Sequence, residues 1–138
     1  NDDIMTASFL MPVSFEPKYI AFSVSPKRLT FNNLQEVKEF GVNVCDDKME
    51  EIAWACGTKS GRDVDKFKLL GLEKEKGEFI KPPLLRISPL SFECIVEDMR
   101  EFGDHYLVVG RVVREVVRSK VFNPLLHISG REFVKLQR

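Results

Sequence analysis

The chain has 138 residues, long enough for one domain with a real core and too short for two comfortable ones. Lys plus Arg at 21 balances Asp plus Glu at 21, and zero net charge argues against non-specific nucleic-acid binding as the main task. Apolar residues at 43% and charged residues at 30% describe a globular protein, and no apolar run approaches the roughly 20 residues of a membrane-spanning helix.

The three cysteines, Cys45, Cys56 and Cys94, lack metal-ligand spacing. Their odd number suggests reduced thiols and a cytoplasmic protein, and each reads most simply as a small buried apolar side chain. The two histidines, His105 and His127, are too few for a histidine-built metal site, so no metal is expected. No signal peptide is visible. Asn1 is not a natural start, and an N-terminal piece is expected to be missing or numbered away.

In chain order, Ile4 to Phe15 and Tyr19 to Ser25 read as two strands of a hairpin turning at Glu16-Pro17-Lys18, the second buried on both faces. Phe31 to Phe40 reads as a short helix with Thr30 as N-cap and Gly41 as its stop. Ser23 to Thr30, just before it, holds Lys27, Arg28 and the hydroxyls of Ser23, Ser25 and Thr30. That set beside a helix N-terminus suits a phosphate, or else is a capped helix after a basic turn. Phe40 to Cys45 is strand-like, and its Asn43 is either a satisfied core amide or a ligand contact.

Asp46 or Asp47 is expected to cap a second helix, with Glu50 completing a capping box. Met49, Ile52, Ala53 and Cys56 share one face of it, Trp54 lies beside them, and Gly57 closes it. Thr58 to Phe67 is a polar loop leading to a short helix capped by Ser60 or Asp63. Glu73 to Glu78 is a charged turn, and Pro82-Pro83 makes an extended connection. Leu90 to Arg100 and Tyr106 to Val117 then form a β-hairpin about Phe102–His105, with Gly110 as a bulge or a close approach of backbone. The chain ends in a strand or loop around Leu125 to Val134. This order predicts a mainly β fold, a small β-barrel with inserted helices in which closure removes exposed edges.

The chemistry narrows by exclusion. The chain has no Gly-x-Ser-x-Gly elbow, no Gly-x-Gly-x-x-Gly after a strand, no Walker loop and no metal-ligand cluster. What remains is a phosphate and a flat ring. Thr6-Ala7-Ser8 could let a ring approach the backbone, Ser23 to Thr30 could hold a phosphate, and Ser60, Arg62 and Lys66 could add a second wall.

These segments carry a resemblance to a known family. Met5-Thr6-Ala7-Ser8 with Pro12-Val13-Ser14, Ser23 through Thr30, Phe40-Gly41-Val42-Asn43, and Ser60-Gly61-Arg62-Asp63-Val64-Asp65-Lys66-Phe67 form an ordered set. It continues with Glu93-Cys94, Gly103-Asp104-His105 with Gly110, and Leu126-His127-Ile128-Ser129-Gly130-Arg131. In this set and order the chain resembles the flavin reductase-like, FMN-binding split-barrel family of flavoredoxins and archaeal ferric reductase-type proteins. The resemblance implies one flavin reductase-like domain over residues 1–138, FMN as cofactor, and a homodimer with FMN near the interface. It implies that Thr6, Ala7 and Ser8 face the ring and that Ser23, Ser25, Arg28 and Thr30 hold the ribityl chain and phosphate. Ser60, Arg62 and Lys66 would supplement the phosphate site, and His127 and Gly130 would lie near the flavin. Three departures stand out: the chain has lost the family's usual strand before Met5 or begins after it, Ser129-Gly130 stands where a Gly-Gly often follows the histidine motif, and Phe9 stands where many relatives carry tryptophan. The first threatens barrel closure, and the other two touch the pocket shape.

Three functions follow. One is an oxidoreductase that passes electrons from NAD(P)H or another donor through FMN to flavin, ferric iron or a partner. Another is a non-catalytic FMN-binding electron carrier or flavin-storage protein served by a redox partner. The third is a structural β-barrel that has lost its cofactor. No catalytic dyad is expected, since the cofactor carries the chemistry. Neither nucleic acid nor membrane is expected as a partner.

Overall fold

In a computed structural model, residues 2–136 are described; the expectation attached to Asn1 lies outside the described residues. Strands β1 (Leu10–Phe15) and β2 (Lys18–Val24) form the first hairpin, and helix α1 (Leu29–Val37) leads to β3 (Glu39–Asn43). Helices α2 (Glu50–Thr58) and α3 (Lys66–Leu69) precede two short strands, β4 (Lys74–Glu75) and β5 (Leu84–Leu85). The long strands β6 (Leu90–Phe102) and β7 (His105–Val117) follow, and β8 (Leu125–Ser129) pairs with β9 (Glu132–Lys135).

Five strands form one antiparallel sheet in the order β1-β2-β7-β6-β3. The fold is mainly β with inserted helices, as expected, but the sheet does not close. Among the described residues β1 and β3 are its two edges, and a groove of about 320 Å³ has Leu10 on one side and Phe40 and Val42 on the other. Closure needs a ladder between these edges. Residues 4–9, expected to belong to the first strand, instead run as irregular backbone, with Thr6 bonded to α2 and Ile4 to Lys66 of α3.

Apolar patterning places the core. β2 buries Ile20, Ala21, Phe22 and Val24, so both of its faces are covered. Phe31 and Leu34 of α1 pack on Ile20, Phe22, Phe40, Cys94 and Val108. Phe22 and Phe40 meet edge to face at 5.0 Å. Gly110 is a close approach, since a Cβ there would lie 2.4 Å from the Phe40 ring. A smaller cluster of Met49, Phe67 and Leu85 lies with Ile4, Cys45 and Leu72.

Helix ends depart from expectation for tertiary reasons. Thr30 is inside α1, which starts after Arg28 without a side-chain cap, because the Thr30 hydroxyl donates to Asp3 Oδ2 at 2.8 Å. α1 ends at Lys38, left-handed at φ 63°, and not at Gly41. Gly41 sits in β3, where a Cβ would meet Leu84 at 2.7 Å. Asp46 accepts from Lys48 N–H in a turn and Asp47 receives Asn123, so neither caps α2, which starts after Met49. Gly57 does not end α2; the helix runs on to Thr58, whose hydroxyl donates to Trp54 O. α3 is capped by Asp65, whose carboxylate accepts from Lys68 N–H at 3.2 Å, and not by Ser60 or Asp63.

Beneath the connection from β4 to β6, buried polar groups are mutually satisfied. Glu93, fully buried, accepts the N–H groups of Glu78, Phe79 and Ile80 and the Arg114 guanidinium at 2.6 Å. Burial alone pushes this carboxyl up. The Arg114 bond and the backbone donors outweigh it and hold Glu93 below the usual carboxylate range. Arg118 donates to Ser88 O and Ser91 Oγ and pairs with Glu75.

Candidate functional site

A second concavity, about 190 Å³, opens where residues 6–8, the start of α1, helix α2 and the β8–β9 hairpin converge. Thr6, Ser8, Arg28, His127 and Gly130 line it together with Trp54, Gly57, Thr58 and Phe133. The chain therefore brings together, from well-separated segments, five of the residues singled out in the sequence.

Each is positioned by a local cause. Thr6 donates its hydroxyl to Ala53 O, which ties the irregular N-terminal run to α2. Gly57 allows that approach, since a Cβ there would lie 3.2 Å from Thr6 Cβ. Arg28 precedes α1, and its Nη2 donates to Gly57 O at 3.1 Å. That is the guanidinium's one hydrogen bond among the described residues, so most of its five N–H donors are available. His127 Nε2–H donates to Gly130 O at 2.9 Å, and its ring lies 5.0 Å from Phe133. It is thus both a hydrogen-bonded structural group and part of the cleft wall. Gly130 turns the hairpin at φ 52°, with open space around its Cα.

The remaining expected site residues lie elsewhere. Ala7 lines the larger groove. Ser23 is half-buried in β2, and its N–H donates to Phe9 O. Ser25 accepts from Lys27 N–H and Ser60 from Arg62 N–H, each closing a turn. Thr30 is bonded to Asp3. Asn43 is a satisfied core amide: its Oδ1 accepts from Leu85 N–H at 2.9 Å and from Ser91 Oγ at 2.8 Å. Arg62 is exposed. Lys66 is buried, donating to Ile4 O and Cys56 O, with Asp3 Oδ1 at 3.3 Å. Its charge is compensated internally, so the expected second wall of cations is not assembled around it.

Trp54, Gly57 and Phe133 had no place in the sequence-based site. Trp54 gave a signal, as the single tryptophan beside a buried helical stripe. Phe133 gave none, because nothing local shows that the C-terminal hairpin folds back over α2.

The donor set fits FMN. One cation with spare donors and the Ser8 hydroxyl suit a phosphate, the Thr6 oxygen, its proton committed to Ala53 O, can accept from a ribityl hydroxyl, and the rings of Trp54 and Phe133 suit a flat heterocycle. No carboxylate or thiol lines the cleft among the described residues. Burial pushes the thiols of Cys45 and Cys94 up to about 11 and about 12, so neither supplies a thiolate at neutral pH. The cleft's donors and rings thus suit the binding and orienting of a cofactor, and among the described residues it holds neither a thiolate nor a carboxylate.

Comparison with known proteins agrees with this chemistry. Residues 1–136 match the model of the family described as flavin reductase like domain. The chain is 30% identical over 144 residues to an uncharacterized protein of Pyrococcus abyssi, covering 98% of this chain and 83% of that protein. It superposes on the FMN-binding protein from Thermus thermophilus, solved with bound p-hydroxybenzaldehyde, at a TM-score of 0.85 and 27% identity, covering 94% of this chain and 75% of that one. Its fold is also that of flavoredoxin from Methanosarcina acetivorans, at a TM-score of 0.90 and 23% identity over 99% of this chain and 78% of the other.

Proposed function

The chain belongs to the flavin reductase-like family, and from that premise we propose that it is an FMN-dependent oxidoreductase. Electrons enter from NAD(P)H or another donor and leave to free flavin, ferric iron or a redox partner. The observation that carries this reading is the convergence of Thr6, Ser8, Arg28, His127 and Gly130 on one aromatic-walled cleft.

When bound, FMN supplies hydride acceptance and single-electron release. The chain's own residues bind and orient. Arg28 gives the phosphate a charge-assisted partner. Thr6 and Ser8 present hydroxyls, and Trp54 and Phe133 exclude water from the ring. His127, its Nε2–H held by Gly130, turns a fixed ring toward the cleft.

The protein works as a homodimer in this reading. The cleft's 190 Å³ falls short of the roughly 300–1,000 Å³ of ligand pockets, which leaves room for a wall from a second copy. Phe9 and, in β1, Leu10, Met11, Val13 and Phe15 are exposed, with Phe15 at 89%, a patch of the kind that marks interaction surfaces. Met11→Glu with Phe15→Glu should yield a monomer by light scattering and weaken FMN binding. A variant that stays dimeric with full affinity places the interface elsewhere.

The test of function is the visible spectrum of purified protein, followed by anaerobic addition of NADH or NADPH. Flavin bands that bleach on addition and return with an acceptor support the oxidoreductase. An electron carrier is the second reading, favoured by a cleft that among the described residues holds no acid–base side chain other than His127. It predicts flavin bands that bleach only with a reduced redox protein. A colourless protein that takes up no FMN refutes both.

A further inference from the structure

We propose that Trp54 is the ring-contacting wall of the cleft and that Arg131, which does not line the cleft, is the positioning residue that fixes it there. The first half rests on the FMN-binding reading; the second stands on the fold alone.

Trp54 projects from α2 into the lining of the cleft, across from Phe133 and His127 of the β8–β9 hairpin. Against it lies Arg131, at the turn of that hairpin. The guanidinium carbon of Arg131 is 5.2 Å from the Trp54 ring centroid and 5.9 Å from that of Phe133. Its Nη1 lies 3.3 Å from Glu50 Oε2, and its Nη2 donates to Glu51, so two carboxylates of the first turn of α2 hold the same group. One planar cation therefore spans both walls of the cleft.

The hairpin needs such a tie. Its root is fixed by backbone bonds, with Leu125 N–H donating to Cys45 O. Among the described residues, the hydrogen bonds from its turn to the rest of the molecule are those of Arg131. Arginine suits the task because its rigid plane stacks on an aromatic face while its edge pairs with carboxylates. Lysine keeps the charge and loses the plane. With Arg131 over its ring, the indole still lines the cleft, and Arg131 does not. An electron-rich indole prefers a planar, electron-poor heteroaromatic ring. Two rings of the proposed reaction have that chemistry, the oxidised flavin and the oxidised nicotinamide.

The test uses the full chain as wild type, Trp54→Leu, Trp54→Phe, Arg131→Gln and Arg131→Lys, with far-UV circular dichroism to confirm folding. Trp54 is the single tryptophan, so intrinsic emission reports on it alone. Without any ligand, Arg131→Gln should shift the emission to longer wavelength and make it more accessible to acrylamide, with Arg131→Lys only partly restoring it. Unchanged emission overturns the positioning role.

FMN is then titrated by flavin absorbance. Trp54→Leu should weaken binding by ~10-fold or more, on the scale of base–aromatic stacking, and Trp54→Phe by less. Arg131→Gln should weaken it by about two- to fivefold, as for an exposed cation–π pair. A long-wavelength absorbance tail absent from Trp54→Leu identifies the stacked ring. Its appearance with FMN alone assigns the flavin, and its appearance only when NADP⁺ joins FMN-loaded protein assigns the nicotinamide. FMN affinity unchanged in Trp54→Leu, with no tail in either arm, overturns the ring contact. Wild type that binds no FMN defeats the functional reading together with the ring contact, while the emission arm still decides the role of Arg131.

Discussion

Two arginine-centred regions of this molecule use the same chemistry to different ends. Beneath the β4–β6 connection, Arg114 and Arg118 face carboxylates, serines and backbone that leave little unpaired. Glu93 alone collects the N–H groups of Glu78, Phe79 and Ile80 along with Arg114. In the cleft, Arg28 has a single carbonyl partner among the described residues and sits beside the hydroxyls of Thr6 and Ser8. Buried polar groups that satisfy one another hold a fold together. Donors left with spare capacity in a concave, aromatic-walled site are set up for a ligand. The difference separates stability from binding residue by residue, and substitutions can break each side independently.

The largest effect should come from Glu93→Ala. It leaves Arg114 and the 78–80 backbone without their acceptor, at a cost of about 3 kcal/mol by analogy with broken buried pairs. Urea unfolding should show the loss, and FMN affinity of the remaining folded protein should be unchanged. The same carboxylate sets an acid limit. Its folded pKa is depressed, so its contribution is complete above the ordinary glutamate value near ~4.3 and fades as pH falls through the lower folded value. Unfolding followed from neutral pH to strong acid should lose part of that slope in Glu93→Gln.

Asn43→Ala comes next. It strips an acceptor from Leu85 N–H and the Ser91 hydroxyl, which should cost about 2 kcal/mol of stability. Binding titrations should find FMN affinity intact. A large drop in affinity would return Asn43 to the ligand site.

On the binding side, Arg28→Ala should weaken FMN by ~10-fold or more, the scale of a charge-assisted hydrogen bond, with a smaller effect on thermal stability. Cys45→Ala, which alters the wall of the other groove, should give the smallest effect of the set, an FMN affinity equal to wild type in the same titration. Equal affinities for both variants would remove Arg28 from the site.

Much of the architecture was written locally. The alternation through Leu90–Val117, the turn at Gly103-Asp104 and the apolar run of β2 place the central strands, because side-chain period and turn chemistry act over a few residues. Arg28, Thr6 and His127 were legible as candidates from their motifs, and the structure brings the three to one cleft. Other features depended on partners far along the chain. Thr30 looks like a cap, yet its hydroxyl goes to Asp3, and Gly41 looks like a helix stop, yet it yields space to Leu84. Lys66 looks like a phosphate ligand, yet Asp3 and two carbonyls take its charge.

By itself, then, the sequence determined the strands, the apolar core and the presence of phosphate-type donors, each being a matter of residue type and short-range spacing. Only the tertiary structure decided which donors remain available, because each hydrogen committed to an internal partner is lost to a ligand: Lys66 is taken up by Asp3 and two carbonyls, while Arg28 spends one of its donors on Gly57 O. It also decided that Trp54 and Phe133, about eighty positions apart in the chain, face one cleft. That meeting requires the C-terminal hairpin to fold back on α2, where Glu50 and Glu51 hold Arg131.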